Sequence, residues 1–175
     1  MEFLIKKAQK GDEEAFIQAL TSYMPMLYKV ARTRLASEED IGDAIQETIL
    51  LAFKSLQSLK NPGSFKAWLI KILINKCNDI IKQNSRVMCI GSYEEADKLT
   101  EAVNHDYLEG DMDFKRILMG LSIDYRTVIV LYYVNGFNTR EISEILNEKE
   151  GTIKSRLSRA RAQLKSSCIG LLEVE

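Results

Sequence analysis

The sequence predicts an all-α protein: two helical domains joined by an acidic linker, the C-terminal one containing a helix-turn-helix. Three observations carry this. Apolar residues recur every three or four positions through most of the chain, whereas strand-type alternation is weak. The 175 residues include 2 prolines and 9 glycines against 46% hydrophobic residues, so most of the chain can be regular and still fill a core. Charge falls in blocks although the whole chain carries a net charge of only −1. Residues 54–86 hold seven basic side chains and one acidic one, 87–114 hold eight acidic and one basic, and 149–165 hold six basic and one acidic. Two basic blocks on different helices suggest two polyanion-binding surfaces, and the acidic block between them suggests a spacer.

Residues 2–35 read as helix, interrupted at Gly11 and Asp12, with Asp12 as the cap of the longer second segment. Phe16, Leu20, Tyr23, Leu27, Val30, Ala31 and Leu35 keep helical spacing, and Pro25 is expected to bend this run or mark a boundary. Ser37 is a good N-cap for the next helix, with Asp40 three residues on. There Ile41, Ala44, Ile45, Thr48, Ala52, Phe53, Leu56 and Leu59 form one apolar stripe. The other face carries Asp43, Gln46, Glu47, Leu50 and Lys54. A leucine among acids and amides on an outward face suggests a partner surface. "KNPGS" breaks the chain at residues 60–64. A further helix comes after it, with Phe65, Trp68, Leu69, Ile72, Leu73, Ile80 and Ile81 at helical spacing; aromatics spaced in this way are usually core.

Residues 87–110 lose the periodicity and read as a linker. Residues 111–165 regain it, with two helices meeting at 121–124, then a short helix "NTREISEIL" capped by Asn138 or Thr139, then a turn at 147–149. The last helix, "EGTIKSRLSRARAQLK", carries five basic residues and one acidic one. At 100° per residue Leu157, Ala160 and Leu164 fall within roughly 40° of Ile153 and face the core. Ser155, Ser158, Arg159 and Ala162 lie opposite, with Lys154, Arg156 and Arg161 on the flanks. A short helix, a tight turn and this helix form a helix-turn-helix whose second helix enters the major groove. Ser155, Ser158, Arg159 and Lys154 then address base edges, while Arg156 and Arg161 clamp phosphates.

Other function classes find less support. The one histidine, His105, sits in the acidic spacer; Cys77 lacks an evident base partner, and no phosphate-cradling loop or metal cluster stands out. Neither catalysis nor a cofactor is expected. Cys77, Cys89 and Cys168 lack metal-ligand spacing and read as inert thiols in a reducing compartment. The charged N-terminus lacks a signal-peptide core, so a cytoplasmic protein is expected. A plain helix-turn-helix regulator that binds duplex DNA unaided is the main rival.

The motif "FNTREISEILNEKEGTIKSRLSRARAQL" resembles the −35-reading region of extracytoplasmic-function (ECF) sigma factors of bacterial RNA polymerase. Gly136, Phe137, Thr139, Glu141, Ile142, Gly151, Thr152, Lys154, Ser155, Arg156, Leu157, Arg159, Ala160 and Arg161 match its pattern. "GDEEAF", "EDIGDAIQETILLAFKSL" and "SFKAWLIKILINKCNDII" resemble the same family's region 2, in the same order. Ile41-Gly42 and Ser143 depart from the pattern. Ser158 stands at an outward position that varies among members, so no promoter sequence can be carried over.

The resemblance implies a region 2-like domain over 1–86, a linker over 87–110 and a region 4-like domain over 111–175. It implies core RNA polymerase as the partner of Asp43, Gln46, Glu47, Leu50 and Lys54. It implies that the 60–64 loop receives a base flipped from the promoter −10 element, with Lys60, Asn61, Ser64, Phe65, Trp68, Lys71, Asn75, Lys76 and Lys82 as the −10 contact set. The −35 set is Thr139, Arg140, Thr152, Lys154, Ser155, Arg156, Ser158, Arg159 and Arg161. It further implies an anti-sigma factor; with no apolar run near the ~20 residues of a membrane span, no membrane insertion is expected, and a monomer is the default outside the holoenzyme. A linker of about 24 residues can extend to roughly 80 Å, beyond the roughly 35–70 Å between sites one or two helical turns apart.

Overall fold

The computed structural model describes the backbone of residues 1–88 and 118–172, and side chains over 1–86 and 118–167. Of the linker expected over 87–110, residues 87 and 88 are the end of a helix and 89–110 lie outside the described residues, as do the side chains of Cys89, Cys168 and His105. The chain divides into two compact units, Met1–His105 and Asp106–Glu175. The described parts of both are helical, without strands.

In the first unit, α1 (Glu2–Ala8) packs on α2 (Glu13–Ala31), which packs with α3 (Glu38–Ser55) and α4 (Phe65–Met88). Gly11, at φ 96°, makes the turn after α1, and Asp12 caps α2 by accepting from Ala15 N at 2.9 Å. Helix α2 runs unbroken through Pro25, so this proline marks no boundary. Ser37 caps α3 by accepting from the Asp40 backbone N–H. The core contains Ile5, Leu27, Val30, Ile41, Phe65, Leu69, Ile70 and Leu73, all under 2% exposed.

The apolar stripe expected on α3 is buried at Ile41, Ala44, Ile45, Thr48, Ala52, Leu56 and Leu59, but Phe53 is 49% exposed. Its ring meets Phe16 edge-on, with centroids 5.3 Å apart. Phe53 lies about 120° around the helix from Ile41, outside the buried stripe, so only one edge reaches the core. The end of α1 is stitched to the turn after α3. Gln9 Nε2 donates to Leu56 O and Leu59 O at 3.1 and 2.8 Å, and Gln57 Nε2 donates to Gln9 O at 2.8 Å. These bonds fix the approach to the 60–64 loop.

In the second unit, Ser122 caps α5 (Ile123–Ile129), which continues as a single π turn over Val130–Val134. Asn135 N donates to Val130 O at 3.0 Å, five residues back, and Phe137 N reaches Leu131 O at 3.0 Å. Gly136, at φ 71°, then turns the chain toward α6 (Thr139–Leu146). Asn138 rather than Thr139 is the cap. Its side chain accepts from Glu141 N and the Glu141 carboxylate accepts from Asn138 N, both at 2.9 Å, closing a capping box. Asn147 ends α6 at φ 55°, and α7 (Glu150–Leu172) begins three residues on. Asparagine is one of the few residues that adopt this left-handed conformation readily.

Candidate nucleic-acid interface

Helix α7 lies on α5 and α6 through Ile153, Leu157 and Ala160, each no more than 1% exposed. Leu164 is half-buried, as expected of the same stripe. Thr152, Lys154, Ser155, Ser158, Arg159 and Arg161 are exposed, so burial of one face presents the opposite one. Several of these side chains have intramolecular partners. Glu150 Oε1 accepts from Thr139 Oγ1 at 2.7 Å and pairs with Lys154 Nζ at 2.9 Å. The hydrogen bonds from Lys154 and Thr139 hold the Glu150 carboxyl below its ordinary pKa. Arg140 pairs with Glu144 at 3.5 Å on the exposed side of α6. Arg161 Nε donates to Leu157 O at 3.2 Å.

Arg156 departs from the free phosphate clamp expected of it. It is only 22% exposed and divides its guanidinium between Asp124 Oδ2 at 3.1 Å and Glu148 Oε1 at 2.8 Å. Beside it an open groove of about 560 Å³ is lined by Ser122, Asp124, Tyr125, Thr152, Ser155 and Arg159, among others. Asp124 and Glu148 draw no notice in the sequence, because their relation to Arg156 is set by folding.

In the first unit, the other basic block divides. Taking Lys71 as origin, Trp68, Asn75 and Lys82 lie within about 60° on α4. Lys71, Asn75 and Lys82 are exposed and Trp68 is half-buried. Lys60, Asn61 and Ser64 are exposed on the loop, where Pro62–Ser64 forms a 3₁₀ turn capped by the Asn61 side chain accepting from Gly63 N at 3.0 Å. A Cβ at Gly63 would stand 2.9 Å from Glu2 Oε1, so α1 packs closely over the loop.

Two members of the expected set lie elsewhere. Phe65 is 1% exposed, with Tyr23 and Trp68 ring centroids each 5.7 Å from its own, and is a core residue. Lys76 sits about 140° from Lys71 on α4 and turns toward α3. There its Nζ lies 3.2 Å from Glu47 Oε2, and its side chain is 27% exposed.

On α3, Asp43, Gln46, Glu47, Leu50 and Lys54 are all exposed, Leu50 by 53%. Leu51 at 41% and Phe53 at 49% widen the apolar surface on the same two turns. The periodicity missed both: Leu51 fell in neither stripe and Phe53 fell in the inward one. Cys77 is buried with a free thiol. Among the described residues no cluster of three or more His, Cys, Asp or Glu could hold a metal ion, and no helix is long and apolar enough to cross a membrane.

Comparison with known proteins gives a consistent picture. Residues 19–87 match the family model "Sigma-70 region 2" and residues 111–164 match "Sigma-70, region 4". The chain is 29% identical to the ECF RNA polymerase sigma factor SigW of Bacillus subtilis, covering 94% of this chain and 97% of that protein. It is 27% identical to the RNA polymerase sigma factor SigV of the same organism, covering 88% and 91%. Among solved structures, the sigma factor RpoE in complex with the anti-sigma factor NepR from Bartonella quintana superimposes with a TM-score of 0.74 at 30% identity, covering 87% of this chain and 96% of that one. CnrH in complex with the cytosolic domain of CnrY gives a TM-score of 0.68 at 25% identity, covering 99% and 97%. With both regions matched in order and relatives aligned over nearly their full lengths, the chain belongs to the sigma-70 family, in its extracytoplasmic-function group.

Proposed function

We propose that the chain binds core RNA polymerase through the outward face of α3 and selects promoters by contacts to the −10 and −35 elements. Its role in transcription initiation follows from its family. The observation that carries the finer reading is the separation of three exposed surfaces. Asp43, Gln46, Glu47 and Leu50 offer charge and apolar area together on α3, a composition suited to a protein partner. Lys60, Asn61, Ser64, Lys71, Asn75 and Lys82, with the half-buried Trp68, offer cations and an aromatic ring for separated strands. Thr152, Lys154, Ser155, Ser158, Arg159 and Arg161 offer small and basic side chains to duplex DNA. The region 2-like domain is assigned to 1–86 and the region 4-like domain to 111–175, joined by 87–110. The RpoE structure contains the anti-sigma factor NepR, and by likeness an anti-sigma factor is proposed for this chain, covering the same surfaces.

The test mixes purified protein with core RNA polymerase and a randomised promoter library, then sequences the transcripts. Initiation at a shared pair of elements is expected. Duplex binding without polymerase, and no specific transcripts, would overturn the reading in favour of a plain helix-turn-helix regulator.

A further inference from the structure

We propose that Arg156 is a positioning residue that sets how the reading helix lies on its own domain, and that Asp124 and Glu148 act through it to determine −35 discrimination. The inference rests on the −35 reading of α7. Arg156 lies where α7 is flanked by two different elements at once. One guanidinium nitrogen reaches Asp124 in the first turn of α5, and another reaches Glu148 in the turn between α6 and α7, at 3.1 and 2.8 Å. A planar fork can join two carboxylates in fixed directions, which a lysine ammonium cannot. The side chain is 22% exposed against 63% for Lys154 two residues earlier, so it is committed to the fold rather than held out to solvent.

The apolar stripe of α7 is narrow. Ile153, Leu157 and Ala160, with the half-buried Leu164, prevent α7 from leaving the domain, but side chains along one line leave its rotation about its axis weakly defined. Arg156 stands on the flank of that line, where a tie to two elements opposes rotation. Ser155, Ser158 and Arg159 are carried by the same turns, and a rotation would move all of them relative to base edges. The arrangement also neutralises an acid at a sensitive place. Asp124 is 52% exposed and lines the same groove as Thr152, Ser155 and Arg159. An unpaired carboxylate there would face the polyanion that these residues approach.

The experiment uses the full chain assembled with core polymerase and a promoter selected from the library. It measures the affinity ratio between that promoter and versions altered at single −35 positions, and repeats the measurement over a range of salt. For Arg156→Gln, the ratio is expected to fall about 3- to 10-fold with no change in the salt slope. Arg156→Lys should fall with it, because charge without the fork does not restore the tie. Asp124→Asn and Glu148→Gln should each lower the ratio, and combining either with Arg156→Gln should add little.

A phosphate clamp predicts otherwise. Arg156→Gln would then weaken all promoters alike and reduce the salt slope by about one, Arg156→Lys would largely rescue binding, and the two acid variants would leave the ratio unchanged. Any of these results overturns the proposal. If Arg156→Gln does not fold, the two acid variants decide the question alone. If the unaltered protein itself shows no −35 preference, the underlying reading of α7 fails instead, and that outcome is distinct.

Discussion

Glu47 takes part in two interactions that belong to different surfaces. It stands on the α3 face proposed for polymerase, and its carboxylate pairs with Lys76 of α4 at 3.2 Å. The Glu47 side chain is 59% exposed, and pairs open to solvent contribute only ~0–1 kcal/mol, so Glu47 can exchange this partner for another at little cost. Cys77, next to Lys76, is the opposite case. Burial pushes its thiol from the ordinary 9.0 up to about 11, because the α4 core disfavours the thiolate. The folded state therefore holds its proton where the unfolded chain releases it. This contribution, about 2–3 kcal/mol in all, is intact below pH 9 and is lost as pH rises toward 11. Urea denaturation of the parent and Cys77→Ala at pH 8 and pH 10.5 should show a steeper alkaline loss for the parent. Equal losses would place the thiol in contact with solvent. Below pH 9 the same thiol should react with iodoacetamide only on unfolding.

At the scale of elements, the short helix α6 and the turn after it set where α7 begins. Eight residues cannot hold a helix by propensity alone. The Asn138–Glu141 capping box satisfies two backbone donors, and Ile142 and Ile145 anchor the other side in the core. Asn138→Ala should lower stability by about 1 kcal/mol, whereas Asn138→Ser should be nearly neutral. Chemical denaturation followed by circular dichroism checks this, and equal stability for all three proteins would remove the cap from the account. The π turn at Val130–Val134 is a tertiary device. It widens α5 by one residue just before Gly136, so that Phe137 enters the core at 4% exposure while Tyr132 and Tyr133 stay exposed. Nothing in the run "VIVLYYVNGF" distinguishes a π turn from an α turn, because the choice depends on what Phe137 packs against.

For the molecule as a whole, each unit has its own core and its own charged surface, which predicts separable losses of function. Glu47→Lys should weaken attachment to core polymerase about 10-fold or more and leave −35 base preference intact. Arg159→Ala should reduce −35 preference at one position and leave attachment intact. Binding assays with core polymerase alone and promoter selection with the assembled complex separate the two, and a loss of both properties from either change would dissolve the division. The helical class, the caps at Asp12 and Ser37, the α3 face and the outward face of α7 are all legible in the residues, because periodicity and capping act within a few positions of one another. Other assignments depend on partners distant in sequence. Phe65 packs against Tyr23 of α2, Lys76 turns to Glu47 of α3, and Arg156 is claimed by Asp124 and Glu148. The sequence by itself therefore determined which helices form and which faces carry charge. Only the tertiary structure decided which of those charges remain available to a partner, since an ion pair depends on distances that chain folding creates.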